Sequence, residues 1–99
     1  MSQERRFGTT FAEKSKHFND AEDWDQLLKL SLERQKTHPT NSDGYFDAGM
    51  AYANTNQFDL AIASFNRSTQ LNPSCAASCG HWIEYTKKKR DGLNPTVKK

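Results

Sequence analysis

Little in this sequence points to a covalent scaffold, a membrane span or a reactive centre. Cysteine occurs only twice, as Cys75 and Cys79. That is too few for a small fold held by disulfides, and no second ligand pair accompanies them to make a zinc site. Four positions apart on one helix they are also poorly placed to bond to each other, so both are read as free structural thiols. No apolar run approaches the ~18 residues that cross a bilayer, and the first ten residues hold Arg5 and Arg6 without a hydrophobic stretch. Neither a transmembrane segment nor a secretory leader is expected, and the expected location is cytoplasmic. The five glycines form no phosphate-cradling loop, and there is no His-Glu metal helix and no nucleophile elbow. His81 beside Cys75 and Cys79 lacks the further ligands of a metal site, and His17 and His38 have no nucleophile at a catalytic spacing. The acidic run Asp20, Glu22, Asp23 and Asp25 lacks the glycine and terminal glutamate of a calcium loop and suits a helix start instead. The chain is therefore read as a non-enzyme with no cofactor, no metal and no small-molecule substrate.

What remains is polar and helical. Ninety-nine residues allow one small domain, and a hydrophobic fraction of 34% with a mean hydropathy of −0.95 makes its core thin. The net charge of +2 is unevenly spread. Residues 1–40 balance, residues 41–83 set Arg67 against Asp43, Asp47 and Asp59, and residues 84–99 carry the basic excess in Lys87, Lys88, Lys89, Arg90, Lys98 and Lys99. A basic tail on a neutral to acidic body is not the footprint of a nucleic-acid binder, and a nucleic-acid partner is not expected.

Self-similarity organises the chain. Pro39 and Pro73 stand 34 residues apart, each closing a segment that runs from an aromatic-Asp pair through an apolar stretch: Trp24-Asp25 to Pro39, and Phe58-Asp59 to Pro73. In the second segment Tyr45, Ala48, Gly49 and Tyr52 recur at three and four, one face of a helix over about 43–54. Asn56 is the expected cap of a following helix, which carries Phe58, Ala61, Ile62, Phe65 and Leu71 until Pro73 ends it. Gly49 costs about 1 kcal/mol in a helix interior relative to alanine, so a close packing partner is expected, and Ala61 is the candidate. The first segment repeats the pattern more weakly. A helix over about 10–19 holds Phe11, Ser15 and Phe18, with Lys14 where Ala48 falls in the second. A helix over about 23–36, capped by Asp20, turns Trp24, Leu27, Leu28, Ser31 and Leu32 inward. After Pro73 one more helix, about 74–90, holds Cys75, Cys79, Trp82, Ile83 and Tyr85, and Gly92 and Pro95 end the order.

The second unit resembles the tetratricopeptide repeat (TPR) family. Gly49, Tyr52, Ala61, Phe65 and Pro73 are identical to its signature, and Tyr45, Ala48 and Ser68 replace Trp, Leu and Ala. The period agrees with that of the family, ~34 residues. The resemblance implies an all-α fold, a short right-handed α-solenoid of antiparallel helix pairs with about five helices. It divides the chain into a flexible arm (1–8), a first repeat (8–41), a second repeat (42–75), a capping helix (76–91) and a flexible basic tail (92–99). It also implies a concave groove that binds a peptide or helix of a partner protein, in an adaptor or chaperone-like role. The family's groove positions fall on Asp43, Phe46, Met50, Ala53 and Asn54. In the flanking units they include Lys16, Asn19 and Glu84, and Asp47 occupies a neighbouring contact position. Phe46 and Met50 are expected to be spare to the hairpin core and free for capture. TPR proteins that grip a chaperone's C-terminal carboxylate need cations and amides where this chain has Ala12, Lys16, Asp47, Ala77 and His81, so that ligand is disfavoured. An alternative is a structural homo-oligomer. Trp82, Ile83 and Tyr85, with no helix after them, would pack on a second copy.

Overall fold

A computed structural model describes residues 10–92. The chain forms five α-helices: α1 (Phe11–Asp20), α2 (Trp24–Thr37), α3 (Ser42–Ala53), α4 (Phe58–Leu71) and α5 (Ala76–Gly92), with a 3-10 turn, Pro73–Cys75, ahead of the last. No strand occurs among the described residues, and the fold is all-α. The arm 1–8 and the tail from 93 onward lie outside the described residues. Gly92, expected to begin the tail, is the last residue of α5. The connections 21–23, 38–41 and 54–57 are short, and each helix packs chiefly on the next in sequence.

Local chemistry sets the helix starts. Thr10 opens α1 with a capping box: its hydroxyl accepts from the Glu13 amide at 3.1 Å, and the Glu13 carboxylate accepts from the Thr10 amide at 3.4 Å. Asp23, not Asp20, caps α2, accepting from the Gln26 amide at 3.3 Å. Asp20 is the last residue of α1, because the chain needs a reversal between the two helices before a cap can act. Asn41 caps α3 through the Asp43 amide at 2.9 Å. Asn56 does not cap α4; it takes a left-handed backbone with φ 64°, and Gln57 precedes the helix without a side-chain cap.

The turns from α1 to α2 and from α3 to α4 are built alike. Glu22 (φ 56°) and Asn56 (φ 64°) are both left-handed. Asp23 and Gln57 follow with nearly the same φ and ψ, −92°/77° and −99°/70°. The Asp23 amide donates to the Phe18 carbonyl at 2.8 Å and the Gln57 amide to the Tyr52 carbonyl at 2.9 Å. These are paired Schellman closures, in which a left-handed residue lets the chain recapture the last helical carbonyls. The equivalent residues are 34 positions apart in every case.

The core is small. Ala53, Ala61, Phe65 and Cys79 form a buried cluster joining α3, α4 and α5, with Phe46, Met50, Tyr52, Cys75, Trp82 and Ile83 packed half-buried around it. The close neighbour of Gly49 is Phe65 rather than Ala61. A methyl added at Gly49 would come within 2.7–2.9 Å of three atoms of the Phe65 ring. The first hairpin is held more thinly, by Leu27 with Ser15 and Ser31, and the Ser31 hydroxyl satisfies itself on the Leu27 carbonyl at 2.8 Å. Leu32, expected inside, is 41% exposed: it sits one residue past Ser31, so the helix turns it off the face that Leu27 and Ser31 share.

Candidate functional site

A cleft of about 450 Å³ opens between α1 and α3. The short side chains Ala12 and Ser15 on one helix leave its floor open, and longer polar groups form its rim. Lys16, Asn19, Asp43 and Asp47 all line it, so four of the expected groove residues converge although they come from different helices. Asp20 completes the lining and accepts from the Lys16 ammonium at 2.7 Å, an exposed i,i+4 pair that holds the Lys16 pKa above its ordinary value through that hydrogen bond and the carboxylate charge. The Ser15 hydroxyl donates to the Asp47 carboxylate at 2.6 Å, tying α1 to α3 across the floor. Burial pushes the Asp47 carboxyl above the usual carboxylate range. The Ser15 hydrogen bond opposes that shift and the Asp43 charge adds to it. Ser15 is not among the groove positions that the repeat implies. Its signal in the sequence is its place 34 residues before Gly49: it is a small residue at the equivalent position, and its hydroxyl can also bond.

The remaining expected groove residues are elsewhere. Phe46 and Met50 are not spare: both pack on the core cluster, and the Phe46 ring meets Phe65 edge-on with centroids 5.5 Å apart. The reason is the missing Cβ at Gly49, which draws α4 close and brings Phe65 beneath Phe46. Ala53 is 3% exposed and belongs to the core, so it offers no surface to a partner. Asn54 caps the end of α3, its amide donating to the Met50 carbonyl at 2.8 Å. Glu84 is exposed on α5 and does not line this cleft.

On α5, Trp82 and Ile83 are half-buried against the core cluster, whereas Tyr85 is 43% exposed and stacks edge-on with Trp82 at 5.5 Å. Lys87, Lys88 and Lys89 are exposed, while Arg90 turns back to Asp59 at 3.3 Å and Asp91 at 3.4 Å. Both thiols are free. Burial, first of several causes, raises the Cys75 thiol, whose sulfur accepts from the Ser68 hydroxyl at 3.8 Å, so it is a poor nucleophile. No helix among the described residues is long and apolar enough to cross a membrane. Comparison of the chain with protein-family models, with curated proteins and with solved structures gives no match.

Proposed function

We propose that this chain is a non-enzymatic protein-interaction module of TPR type, cytoplasmic, which holds a peptide or helix of a partner protein in the α1/α3 cleft as an adaptor or chaperone-like factor. The observation that carries the reading is the convergence of Lys16, Asn19, Asp43 and Asp47 on one open cleft between two first helices of successive units. The matching turns 34 residues apart and the signature residues from Tyr45 to Pro73 support it. Three carboxylates line the cleft against one ammonium, which is itself tied to Asp20, so the preferred occupant presents a Lys or Arg side chain. Affinity capture with the wild-type chain and with Asp43→Lys tests it. Asp43 is exposed at the cleft rim, and its replacement should abolish capture of partners that the wild type retains while leaving the helical circular dichroism unchanged. Equal capture by both proteins refutes the cleft as the binding site.

A second reading, self-assembly through α5, is favoured by the exposed Tyr85 ring. Since Trp82 and Ile83 pack on the core, Tyr85→Ala is the variant to compare by light scattering. A monomeric mass for both proteins rejects self-assembly.

A further inference from the structure

A second cleft, of about 520 Å³, lies between α1 and α2. Phe11 and Leu30 give it apolar walls, and Lys14, Arg34 and Lys36 set three cations there against the single carboxylate of Glu33. None of the three cations makes an ion pair among the described residues. Arg34 is held in place rather than free to swing. Its guanidinium carbon lies 4.6 Å from the centroid of the Phe11 ring. Its stem runs against Gly44, where a methyl group would come within 3.2 Å of the Arg34 Cγ. Its Nε is buried and has no hydrogen-bond acceptor. Folding has thus already removed most of the freedom of a long side chain and part of its water, without setting a carboxylate against its charge.

We propose that this cleft is a binding site for an acidic peptide segment, one carrying a Glu or Asp carboxylate beside an aliphatic side chain. A planar carboxylate matches the guanidinium fork of Arg34, and the low-dielectric wall formed by Phe11 strengthens that contact. Lys14 and Lys36 add attraction without fixed geometry, and Phe11 with Leu30 receives the neighbouring aliphatic group. The site faces away from the α1/α3 cleft in charge, shares only the Phe11 wall with it, and does not depend on that cleft being a groove.

The test is an amide chemical-shift titration of the full chain with N-acetyl-Glu-Leu-Glu amide at low salt, with N-acetyl-Gln-Leu-Gln amide and inorganic phosphate as separate probes. The proposal expects saturable shifts at Phe11, Lys14, Leu30 and Arg34 and none at Asn19. It expects affinity to fall about tenfold or more for the Gln peptide and for Arg34→Gln, with phosphate weaker than the Glu peptide. Should Arg34→Gln lose its helical signal, the double variant Lys14→Gln with Lys36→Gln, both exposed, gives the second measurement, with an expected loss of about threefold to tenfold. Absent saturation, equal binding of the Glu and Gln peptides, phosphate binding as tight as the peptide, or unchanged affinity in a folded variant each overturns it.

Discussion

Gly49 concentrates the packing logic of the second hairpin. Alanine there would gain about 1 kcal/mol of helix propensity, yet its methyl would sit 2.7 Å from a ring carbon of Phe65, which is itself fully buried and cannot retreat. Overpacking of this kind costs about 1–3 kcal/mol, so Gly49→Ala is expected to lower the urea midpoint. Gly44→Ala should cost less, because the atoms 3.2–3.3 Å away belong to the flexible stems of Arg34 and Gln35. Equal losses at the two positions would show that the Phe65 ring is not the obstacle. Asp47 gives a pH signature. Its folded pKa lies above its unfolded value, so between pH 3.8 and the raised value the folded chain binds more protons than the unfolded one. Stability from this group is therefore present at low pH and lost as pH rises through the folded pKa. Asp47→Asn removes that loss, and the Ser15 hydroxyl can still donate to the amide oxygen. The difference in urea midpoint, variant minus wild type, should grow as pH rises from about 4 to 7. A difference that is constant with pH would mean that Asp47 is not desolvated in solution.

The helices were legible because their punctuation is local. Pro39, Pro73 and the aromatic-Asp pairs place the turns, and three-four spacing places Ala48, Gly49, Ala61 and Phe65 inside, where they are found. Caps are less legible. Asp20 and Asn56 have suitable side chains, but a cap also needs a particular backbone, and the left-handed residue that closes each turn shifts the cap to Asp23 and Gln57. Three expectations follow for these turns. Gln57→Asp should supply the bond that Asp23 already makes 34 residues earlier and raise stability by about 0.5–1 kcal/mol. Asp23→Ala should lower it by about as much, and thermal unfolding of the two variants reads both signs. Glu22→Gly relieves a left-handed backbone that costs about 1 kcal/mol for a residue with a Cβ, and should also raise the melting temperature. No gain from Gln57→Asp or from Glu22→Gly would indicate that the turns are already relaxed.

For the assembled chain, the cleft proposed to bind a partner is lined by charged rather than apolar side chains. Phe46 and Met50 look spare on a single helix, but on the packed bundle they cover Phe65, so Phe46→Ala is expected to destabilise by about 3–4 kcal/mol at most and to report on stability before it reports on binding. Urea unfolding checks this: an unchanged midpoint would return Phe46 to the surface. Of the expected groove residues, Lys16, Asn19, Asp43 and Asp47 are brought together, because they are polar and lie on the helix faces left over once the core has formed.

Helix content, the turn positions and the inward face of the second hairpin follow from spacing along the chain, since each depends on residues within one or two helical turns. Tertiary packing alone decides which helix Phe65 presses on, that Ser15 reaches Asp47, and that Arg34 lies clamped between Phe11 and Gly44 without an ion pair among the described residues. Those contacts join residues from different helices, and their geometry depends on how closely the helices approach, a distance set by single atoms such as the Cβ that Gly49 and Gly44 lack.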